Sequence, residues 1–363
     1  MGAGKSTLGP VLAERLGREF VSVDDVIEER AGSTIAALFA DRGEAAFRAL
    51  EEESAAEVLS RRANAVVELG GGAVTSEATR EALGTTAFTL HLETTADEAW
   101  SRVAGSDRPL AQDEAAFGSL FTQRAPAYEE VADASARDAD GAVLAAAGVS
   151  VGEGAVERLD TLVPGAGPVE LVIDATVASL HGETIRTALG KRLRATHDVP
   201  AGETSKSVEQ AAALWSALRL GRDGTVVAAG GGTALDLAGF VAATHLRGVA
   251  WASVPTTLVA QVDAAIGGKT AIDLPGGKNL VGAFHWPARV VADPRLLSTL
   301  PESERRNGLA EVVKTGLLAG EPLWELPEAE QVRRCASFKA ALCLRDPHDR
   351  GPRTQLNLGH TFA

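Results

Sequence analysis

The sequence contains little of several residue types on which other protein classes depend. Among 363 residues there are 2 cysteines (Cys335 and Cys343), 1 methionine and 4% aromatic residues. Two thiols at that spacing match neither a disulfide framework nor a Cys-x-x-Cys metal pair, so they predict reduced cysteines in a cytoplasmic protein. Because aromatic residues are scarce, aliphatic residues and alanine must build the cores.

Net positive charge and long apolar runs are also lacking. The formal net charge is −14, which argues against nucleic acid or an anionic membrane as a partner. No apolar run is long enough to span a bilayer, and no signal peptide is evident. With 45% hydrophobic and 23% charged residues, the composition is that of a globular protein, and the length predicts two or three domains. The negative net charge does not forbid anionic substrates, because local lysines and arginines decide whether these bind.

Glycine, by contrast, is abundant, and it forms two loops of different design. Residues 2–7 are Gly-Ala-Gly-Lys-Ser-Thr, and residues 230–236 are Gly-Gly-Gly-Thr-Ala-Leu-Asp. Both kinds of loop bring backbone N–H groups close to phosphates, where a side chain would block the approach. Two such loops in one chain predict two different bound nucleotides and two catalytic units in series.

The hydrophobic pattern predicts an α/β fold in both halves, because short apolar strands alternate with helices as in a parallel sheet with helices on its faces. The strands expected from the sequence lie at 20–23, 66–69, 88–92, 170–173, 225–229 and 249–254. The helices expected between them lie at 8–16, 35–39, 45–59, 208–220 and 235–243. After residue 295 only helices are expected, at 302–318 and 328–344.

The first loop has the end of a Walker motif, Gly4-Lys5-Ser6. In such a loop backbone amides wrap the phosphates, the lysine balances their charge and the hydroxyl ligates Mg²⁺. The motif's first glycine and the strand that should precede it would lie before Met1. Taken alone, the run could equally be the small-residue start of an amphipathic helix.

Further motifs follow the first loop in a fixed order. Asp24 ends a predicted strand, Arg48 and Glu51 share a helix face, and residues 69–74 (Leu-Gly-Gly-Gly-Ala-Val) follow another strand. Residues 108–110 are Arg-Pro-Leu, and residues 124–128 are Arg-Ala-Pro-Ala-Tyr. In this order the motifs resemble those of shikimate kinase over nearly the whole of residues 1–130.

The shikimate kinase resemblance implies ATP-dependent phosphorylation of shikimate to shikimate 3-phosphate, with catalytic roles for Lys5, Asp24 and Arg108. ATP and Mg²⁺ would be bound by Gly2, Gly4, Lys5, Ser6, Thr7 and the lid residue Arg108, with Ser6 on the metal. Shikimate would be held by Asp24, Arg48, Gly71, Gly72 and Arg124. Each arginine could alternatively form an ordinary surface ion pair.

One position departs from the kinase pattern. The family usually has Asp-x-Asp where this chain has Ser22-Val23-Asp24. The first of those aspartates helps to organise Mg²⁺ through water. Ser22 can hold a water molecule but supplies no charge, so the departure puts the affinity of the kinase site for Mg²⁺ in question.

The second glycine loop follows a predicted strand and precedes a helix, but it is not the Gly-x-Gly-x-x-Gly of a standard dinucleotide fold. Residues 263–273 are Asp-Ala-Ala-Ile-Gly-Gly-Lys-Thr-Ala-Ile-Asp, and residues 277–279 are Gly-Lys-Asn. A Gly-Gly turn with Lys269 and Lys278 nearby predicts an anionic substrate beside the nucleotide. The alternative interpretation, without a binding function, is an ordinary turn with a surface lysine.

From about residue 165 to its end, the chain resembles 3-dehydroquinate synthase, with residues 263–273 as the most specific stretch. The resemblance implies conversion of 3-deoxy-arabino-heptulosonate 7-phosphate to 3-dehydroquinate and phosphate, with NAD⁺ and a divalent metal, zinc or cobalt. NAD⁺ would be held by Asp174, Glu203, Lys206, Gly231, Gly232, Thr233, Asp236, Thr256, Thr257 and Lys278. The heptulosonate phosphate would be surrounded by Asp263, Lys269, Asn279, Lys314, Lys339, Arg353 and Asn357.

The same resemblance implies a metal site and a homodimer. Among the substrate-binding residues, Asp263, Lys269, Lys314, Lys339, Arg353 and Asn357 would be catalytic. Glu311 and His360 would ligate zinc, and Arg247 would reach the substrate phosphate in a neighbouring subunit. The family's remaining histidine ligand would follow Ala363, so both ends of the sequence look truncated.

Together these patterns predict a bifunctional shikimate-pathway enzyme with four segments. We expect a P-loop kinase-type domain at 1–135, lacking its first strand, and a linker at 136–165. A Rossmann-like NAD-binding domain at 166–294 and an incomplete all-helical metal-binding domain at 295–363 would complete the chain. Two alternatives stay open: a polyol or glycerol-phosphate dehydrogenase in the second half, which shares the glycine loop, and a non-catalytic truncated remnant.

Overall fold

The structure is a computed structural model that describes residues 1–106 and 110–359. The chain divides into two compact units, Met1–Ala146 and Ala147–Ala363. Within the described part of the chain, no helix combines the length and apolar character needed to cross a membrane.

The first unit alternates helices and short strands, as its sequence predicts. Its elements are α1 (Lys5–Leu16), β1 (Glu19–Ser22), α2 (Val23–Ala31), α3 (Ile35–Arg61), β2 (Ala65–Glu68), α4 (Glu77–Thr86), β3 (Leu90–Leu92), α5 (Ala96–Val103), α6 (Glu114–Val131), β4 (Ala134–Ala136) and α7 (Ala139–Ala146). The strands form two parallel pairs, β1 with β2 and β3 with β4. The predicted parallel α/β arrangement is confirmed.

A glycine interrupts the long helix α3. Gly43 has φ 76° and ψ 173°, which lies outside helical geometry, and the helix resumes beyond it. Positive φ at this position suits glycine because it lacks a Cβ. The two separate helices expected at 35–39 and 45–59 are therefore the two arms of this element. The second arm buries Phe47, Ala55 and Val58 in the core of the unit.

The second unit is built on one six-stranded sheet. Its regular elements are β5 (Val149–Val151), α8 (Leu159–Leu162), β6 (Val169–Asp174), α9 (Ala175–Leu189), β7 (Leu193–Val199), α10 (Val208–Ala217), β8 (Thr225–Gly230), α11 (Gly232–Thr244), β9 (Ala250–Pro255), β10 (Lys269–Leu274), β11 (Gly277–Phe284), β12 (Arg289–Ala292), α12 (Glu302–Ala319) and α13 (Glu328–Arg345). The sheet has the order β5-β12-β9-β8-β6-β7, and all its pairings are parallel.

The central strands of this sheet are buried along their whole length. Every residue of β6 and of β8 is buried, which explains why both appear in the sequence as short, almost continuous apolar runs. Parallel pairing brings the carboxyl ends of β6, β8 and β9 to one edge of the sheet, at Asp174, Gly230 and Pro255. Ligands of parallel α/β sheets bind at such an edge.

After residue 295 the unit is helical within the described residues, as expected. Helices α12 and α13 bury Val312, Val332 and Cys335 against Leu258 and Ala292 of the sheet region. This helical layer therefore lies directly against the segment that follows β9.

Five strands of the second unit, β5, β7, β10, β11 and β12, are not among those expected from the sequence. Strands β10 and β11 form an antiparallel hairpin, and β11 gave no strand signal because it is exposed on nearly every residue and has no apolar alternation. The segment 136–165, expected to be a linker, contains α7 of the first unit and β5 and α8 of the second unit, and β5 pairs with β12 at the edge of the sheet. A strand of three residues is too short to produce a periodic signal in the sequence.

Candidate active sites

The first site begins at the amino end of α1. Gly4 precedes the helix with φ 87°, and Lys5 and Ser6 form its first turn. The free N–H groups and positive dipole end of a helix favour phosphate at this position. The Ser6 hydroxyl donates a hydrogen bond of 2.7 Å to Glu68 Oε1 at the end of β2. The phosphate loop is thus joined to the edge of the parallel pair.

A polar cavity of about 390 Å³ lies in the same unit. It is lined by Glu44, Arg48, Thr75, Leu120, Gln123, Arg124 and Ala127. Two of these, Arg48 and Arg124, are arginines that the sequence assigns to shikimate. The cavity therefore offers two guanidinium groups to an anionic small molecule.

Arg48 is held on one face of α3 by two carboxylates. Its Nη1 lies 2.5 Å from Glu51 Oε2 and its Nη2 lies 3.1 Å from Glu44 Oε1. The guanidinium also covers Gly72, where any Cβ would overlap with it. The glycine run after β2 thus lets Arg48 approach the backbone, which a larger residue would prevent.

Arg124 lies on α6 and is held in place by the backbone of the glycine run. It is buried, and its Nη1 donates to the Gly71 carbonyl oxygen at 3.1 Å. Tyr128, one turn further along α6, donates to the same oxygen at 2.6 Å. The carbonyl of Gly71 therefore orients two side chains of the Arg-Ala-Pro-Ala-Tyr motif.

Glu51 is a buried carboxylate between these cations, and it is 2% exposed. Burial raises the pKa of Glu51 above its ordinary value, and the hydrogen bond and charge of Arg48 only partly oppose this. Asp24 lies in the first turn of α2 and approaches Gly70 from another side, at 3.1 Å from the position of a Cβ there. Asp24, Arg48 and Arg124 are thus gathered around the glycine run, whereas Arg108 lies outside the described residues.

The second site lies at the carboxyl edge of the six-stranded sheet. The loop after β8 leads into α11, which begins at Gly232 with Gly231 as its N-cap. The Thr256 N–H donates to the Gly230 carbonyl oxygen at 2.9 Å, which joins the ends of β8 and β9. Asp174 accepts hydrogen bonds from the first turn of α9 at 2.8 and 3.2 Å. Asp174, Gly231, Gly232 and Thr256 of the expected NAD⁺ site therefore lie at or just after the carboxyl ends of the strands β6, β8 and β9.

Lys206 is the centre of a polar cluster in this site. Its Nζ donates to Asp236 Oδ2 at 2.6 Å and to Asn279 Oδ1. Burial raises the pKa of Asp236, and the charge of Lys206 opposes the shift. Asn279, expected among the substrate residues, therefore lies with the expected NAD⁺ residues. Lys278 forms an exposed ion pair with Glu203 at 3.0 Å.

A second cluster surrounds Asp263, which lies in a π-helix at residues Ala260–Ala264. Lys339 Nζ lies 2.9 Å from Asp263 Oδ1 and donates to the Asp263 carbonyl oxygen at 2.7 Å. Lys314 Nζ lies 3.9 Å from the same carboxylate, pairs with Glu311 and donates to the Leu356 carbonyl oxygen at 3.0 Å. Two ammonium groups therefore converge on one aspartate.

The remaining residues expected to bind the substrate lie outside the cluster of Asp263, Lys314 and Lys339. Lys269 is ion-paired with Asp349. Arg353 is buried, and its guanidinium donates to the carbonyl oxygens of Gly267 at 2.9 Å and Pro347 at 3.2 Å. Asn357 and Arg247 are exposed, and Arg247 has a positive φ of 67°. The structure thus brings Asp263, Lys314 and Lys339 together and holds Lys269 and Arg353 in other contacts.

Comparison with known proteins matches both units to families. The family model described as shikimate kinase matches residues 1–148. The models for the N-terminal and C-terminal parts of 3-dehydroquinate synthase match residues 196–307 and 308–363. A bifunctional shikimate kinase/3-dehydroquinate synthase of Thermotoga maritima is 33% identical over 389 residues, covering 100% of this chain and 78% of the relative.

The chain belongs to the bifunctional shikimate kinase/3-dehydroquinate synthase family. Both resemblances expected from the sequence are confirmed, and so is the fold class, with a kinase-type unit followed by a synthase-type unit and its helical layer.

Other relatives match the synthase unit alone. The 3-dehydroquinate synthase of Symbiobacterium thermophilum is 46% identical over 238 residues, which is 59% of this chain and 66% of that protein. The synthase of Latilactobacillus sakei is 44% identical, and the match covers 51% of its length. The chain thus spans roughly half to two thirds of the length of these relatives. A solved 2-deoxy-scyllo-inosose synthase complexed with carbaglucose-6-phosphate, NAD⁺ and Co²⁺ matches with a TM-score of 0.53 and 27% identity, over 59% of this chain and 64% of that one.

The described residues of the synthase unit do not by themselves assemble a zinc site. Within the described parts of the chain, no three His, Cys, Asp or Glu side chains are close enough to share a metal ion. The carboxylate of Glu311 is engaged by Lys314, and His360 lies outside the described residues.

Two residues of the sites were missed by the sequence reasoning. Glu68 contacts Ser6 of the phosphate loop, and its position at the end of a predicted strand was the available signal. Gln261 is fully buried beside Asp263, and its Nε2 donates to the carbonyl oxygens of Pro255 at 3.1 Å and Asp293 at 2.8 Å. Nothing in the sequence alone separated Gln261 from an ordinary helical glutamine.

Proposed function

We propose that the chain is a bifunctional enzyme of aromatic biosynthesis that phosphorylates shikimate with ATP and converts 3-deoxy-arabino-heptulosonate 7-phosphate to 3-dehydroquinate. Residues 1–135 would perform the first reaction, and residues 166–294 and 295–363 would bind NAD⁺ and substrate for the second. We also propose that the protein is cytoplasmic.

The polar cavity supports the kinase assignment. Arg48 of α3 and Arg124 of α6 both line it. Glu51 orients Arg48, and the Gly71 carbonyl oxygen orients Arg124. Two fixed guanidinium groups suit a small carboxylate. In the proposed reaction, Asp24 accepts the proton of the attacking hydroxyl, and Lys5 with the amino end of α1 holds the phosphates. Positioning and charge neutralisation supply most of the catalysis in phosphoryl transfer.

Arg48→Lys tests this assignment, because a lysine cannot contact Glu44, Glu51 and a carboxylate with one planar group. We expect the KM for shikimate to rise about tenfold or more, while the KM for ATP changes little. Arg61→Lys is the matched control, since Arg61 lies on the same helix in an exposed pair with Glu57. An unchanged KM for shikimate in Arg48→Lys would refute the assignment.

The two lysine clusters support the synthase assignment. Lys206 with Asp236 and Asn279 lies at the carboxyl edge of the sheet, and Lys314 with Lys339 faces Asp263. NAD⁺ supplies the hydride acceptor when bound, and the protein orients and polarises its substrate. In the proposed site, the ammonium groups of Lys314 and Lys339 neutralise the anionic substrate, and Asp263 keeps both in place.

Product analysis distinguishes the synthase from its alternatives. We expect phosphate release from the heptulosonate phosphate without net NADH formation, and reduced release in Lys339→Met. Net NADH formation with a polyol or with glycerol phosphate would favour a dehydrogenase. NAD⁺ binding without turnover of either substrate would favour a non-catalytic remnant.

We further propose that the synthase unit uses a divalent metal, zinc or cobalt, with Glu311 and His360 among its ligands, and that it works as a homodimer. A related synthase fold that binds NAD⁺ and Co²⁺ supports the first proposal. The exposed position of Arg247, away from the lysine clusters in sequence, is compatible with a role in a neighbouring subunit. Metal analysis and sedimentation of the purified chain test these two proposals.

A further inference from the structure

Glu68 occupies a position in the kinase unit that no sequence motif assigns. It is the last residue of β2, and its carboxylate accepts the hydrogen bond from the Ser6 hydroxyl at 2.7 Å. Strands β1 and β2 are parallel, and their register places Ser22 directly beside Glu68. A carboxylate therefore stands next to the position at which this chain has a serine in place of the expected aspartate.

The chemistry of the two contacting groups fits a magnesium ion. A phosphate-loop serine offers its oxygen lone pair to Mg²⁺, and Mg²⁺ prefers hard oxygen donors and negatively charged carboxylates. In P-loop enzymes the second protein contribution is an acidic residue on a neighbouring strand. The hydrogen bond to Glu68 uses the Ser6 proton, which leaves the Ser6 oxygen available to the metal.

Asp24 and Ser22 make other contacts. Asp24 lies by the glycine run, near Gly70. Ser22 caps α2 by accepting the Asp25 N–H at 3.2 Å, so its side chain is directed into the helix end. Glu68 is the carboxylate that the structure places on the phosphate-loop hydroxyl.

We propose that Glu68 supplies the charge that organises Mg²⁺ in the kinase site, replacing on β2 the carboxylate that Ser22 lacks on β1. Glu68 is a positioning residue: it accepts the hydrogen bond of the Ser6 hydroxyl, orients the Ser6 oxygen toward the metal and adds one negative charge. This inference rests on the proposed kinase function, because it presumes that the loop binds a magnesium nucleotide.

The metal dependence of ADP binding tests the proposal without any turnover. The dissociation constant of ADP is measured by calorimetry on the full chain, once with excess Mg²⁺ and once with EDTA, and Mn²⁺ binding to the ADP complex is followed by electron paramagnetic resonance. Glu68→Gln keeps an oxygen that can accept the hydrogen bond of the Ser6 hydroxyl but removes the negative charge. We expect it to weaken Mn²⁺ binding by at least about tenfold while the affinity for metal-free ADP changes less than about twofold.

Two further variants sharpen the test. Glu19→Gln removes a carboxylate at the opposite end of β1, where Glu19 pairs with the exposed Arg62, and it should leave both affinities unchanged. Ser22→Asp combined with Glu68→Gln returns the carboxylate to β1 and should restore most of the Mn²⁺ affinity. The nearly unchanged affinity of Glu68→Gln for metal-free ADP shows that the single variant is folded, and the rescue shows that it lacks only the charge.

The outcomes separate this inference from the proposed function. Unchanged Mn²⁺ affinity in Glu68→Gln, or equal weakening of ADP with and without metal, overturns the inference and leaves the kinase function standing. Failure of the double variant to recover metal binding also overturns it. If the unaltered chain binds neither form of ADP, the proposed kinase function itself is refuted.

Discussion

At the scale of single residues, the sites depend on charged side chains that are withdrawn from water and held by partners. Glu51, Lys206 and Arg353 are all buried, and each contacts an opposite charge or several carbonyl oxygens. Removing one partner of such a group costs more than removing an exposed pair, because the other is left buried and unsatisfied.

The raised pKa of Glu51 predicts a pH-dependent effect of Glu51→Gln. Burial raises the pKa of this carboxyl in the folded protein above the ordinary value of 4.5. The folded state therefore binds more protons than the unfolded state between 4.5 and the raised value, and the contribution of Glu51 to stability falls as pH rises through this window. Glutamine does not titrate, so the stability of the variant relative to the unaltered chain should rise with pH.

Urea unfolding of both proteins at several pH values from 4 to 7 measures this difference directly. Glu53→Gln, an exposed position on the same helix, is the control for changing a glutamate to glutamine. A stability difference that stays constant, or that falls as pH rises, would contradict the prediction.

The two cysteines are expected to be unreactive in the folded protein. Both are buried, and burial raises the pKa of the Cys335 thiol to about 12. Because the thiolate is the reactive form, neither thiol should react with Ellman's reagent at pH 8 until the chain is unfolded by urea, when both should react. One fast-reacting thiol in the native protein would show that a cysteine is accessible.

At the scale of elements, the synthase site is assembled where irregular segments meet the sheet edge. The π-helix at Ala260–Ala264 carries Asp263, and π-helical turns are rare and often occur at functional sites. Gln261 joins this turn to the ends of β9 and β12 through two carbonyl oxygens. The position of Asp263 relative to Lys314 and Lys339 therefore depends on a side chain that is itself far from solvent.

Gln261→Ala is expected to destabilise the synthase unit. It leaves the buried carbonyl oxygens of Pro255 and Asp293 without their donor, and each unsatisfied buried group costs about 1–3 kcal/mol. We expect a loss of about 2 kcal/mol or more in the free energy of unfolding, measured with urea. Gln355→Ala, at an exposed position, should change stability by less than about 0.5 kcal/mol. Equal stabilities of the two variants would show that the bridge is unimportant.

At the scale of the whole molecule, the chain combines two compact units whose sites use different chemistry. One has a phosphate loop and a cavity with two arginines, and the other has a sheet edge with two lysine clusters. Each unit contains its own core and its own described site residues. The proposed activities can therefore be altered separately by substitution.

The proposed homodimer predicts complementation between two synthase variants. Arg247→Ala and Lys269→Ala should each have low synthase activity, because each removes one expected contact of the substrate. If Arg247 acts in the neighbouring subunit, mixed dimers regain one intact site, so equal mixtures refolded together should recover up to about a quarter of the unaltered activity. The kinase activity of both variants should be unchanged.

Two results would contradict this prediction. Mixtures with no more activity than the separate variants would show that Arg247 acts within its own subunit. A purely monomeric chain in sedimentation would exclude a shared site altogether.

The sequence by itself determined the local features. The glycine loops, the capped helices and the buried strands β6, β8 and β9 are set by backbone freedom, side-chain periodicity and continuous apolar runs, all of which are local in the chain. Residues 263–273 were sufficient to indicate the synthase family, residues 69–74 and 124–128 indicated the kinase family, and the expected helices after residue 295 are present as α12 and α13.

Only the tertiary structure decided which side chains meet. The contact of Ser6 with Glu68, the position of Asn279 beside Lys206, and the hydrogen bond from Gln261 to the Asp293 carbonyl oxygen join residues that are distant in sequence. Such contacts depend on strand order, register and helix packing, which arise from the burial of the whole core and have no local signal. The exposed hairpin strand β11 and the short strand β5 escaped prediction for the same reason, because pairing with neighbours rather than their own pattern makes them strands.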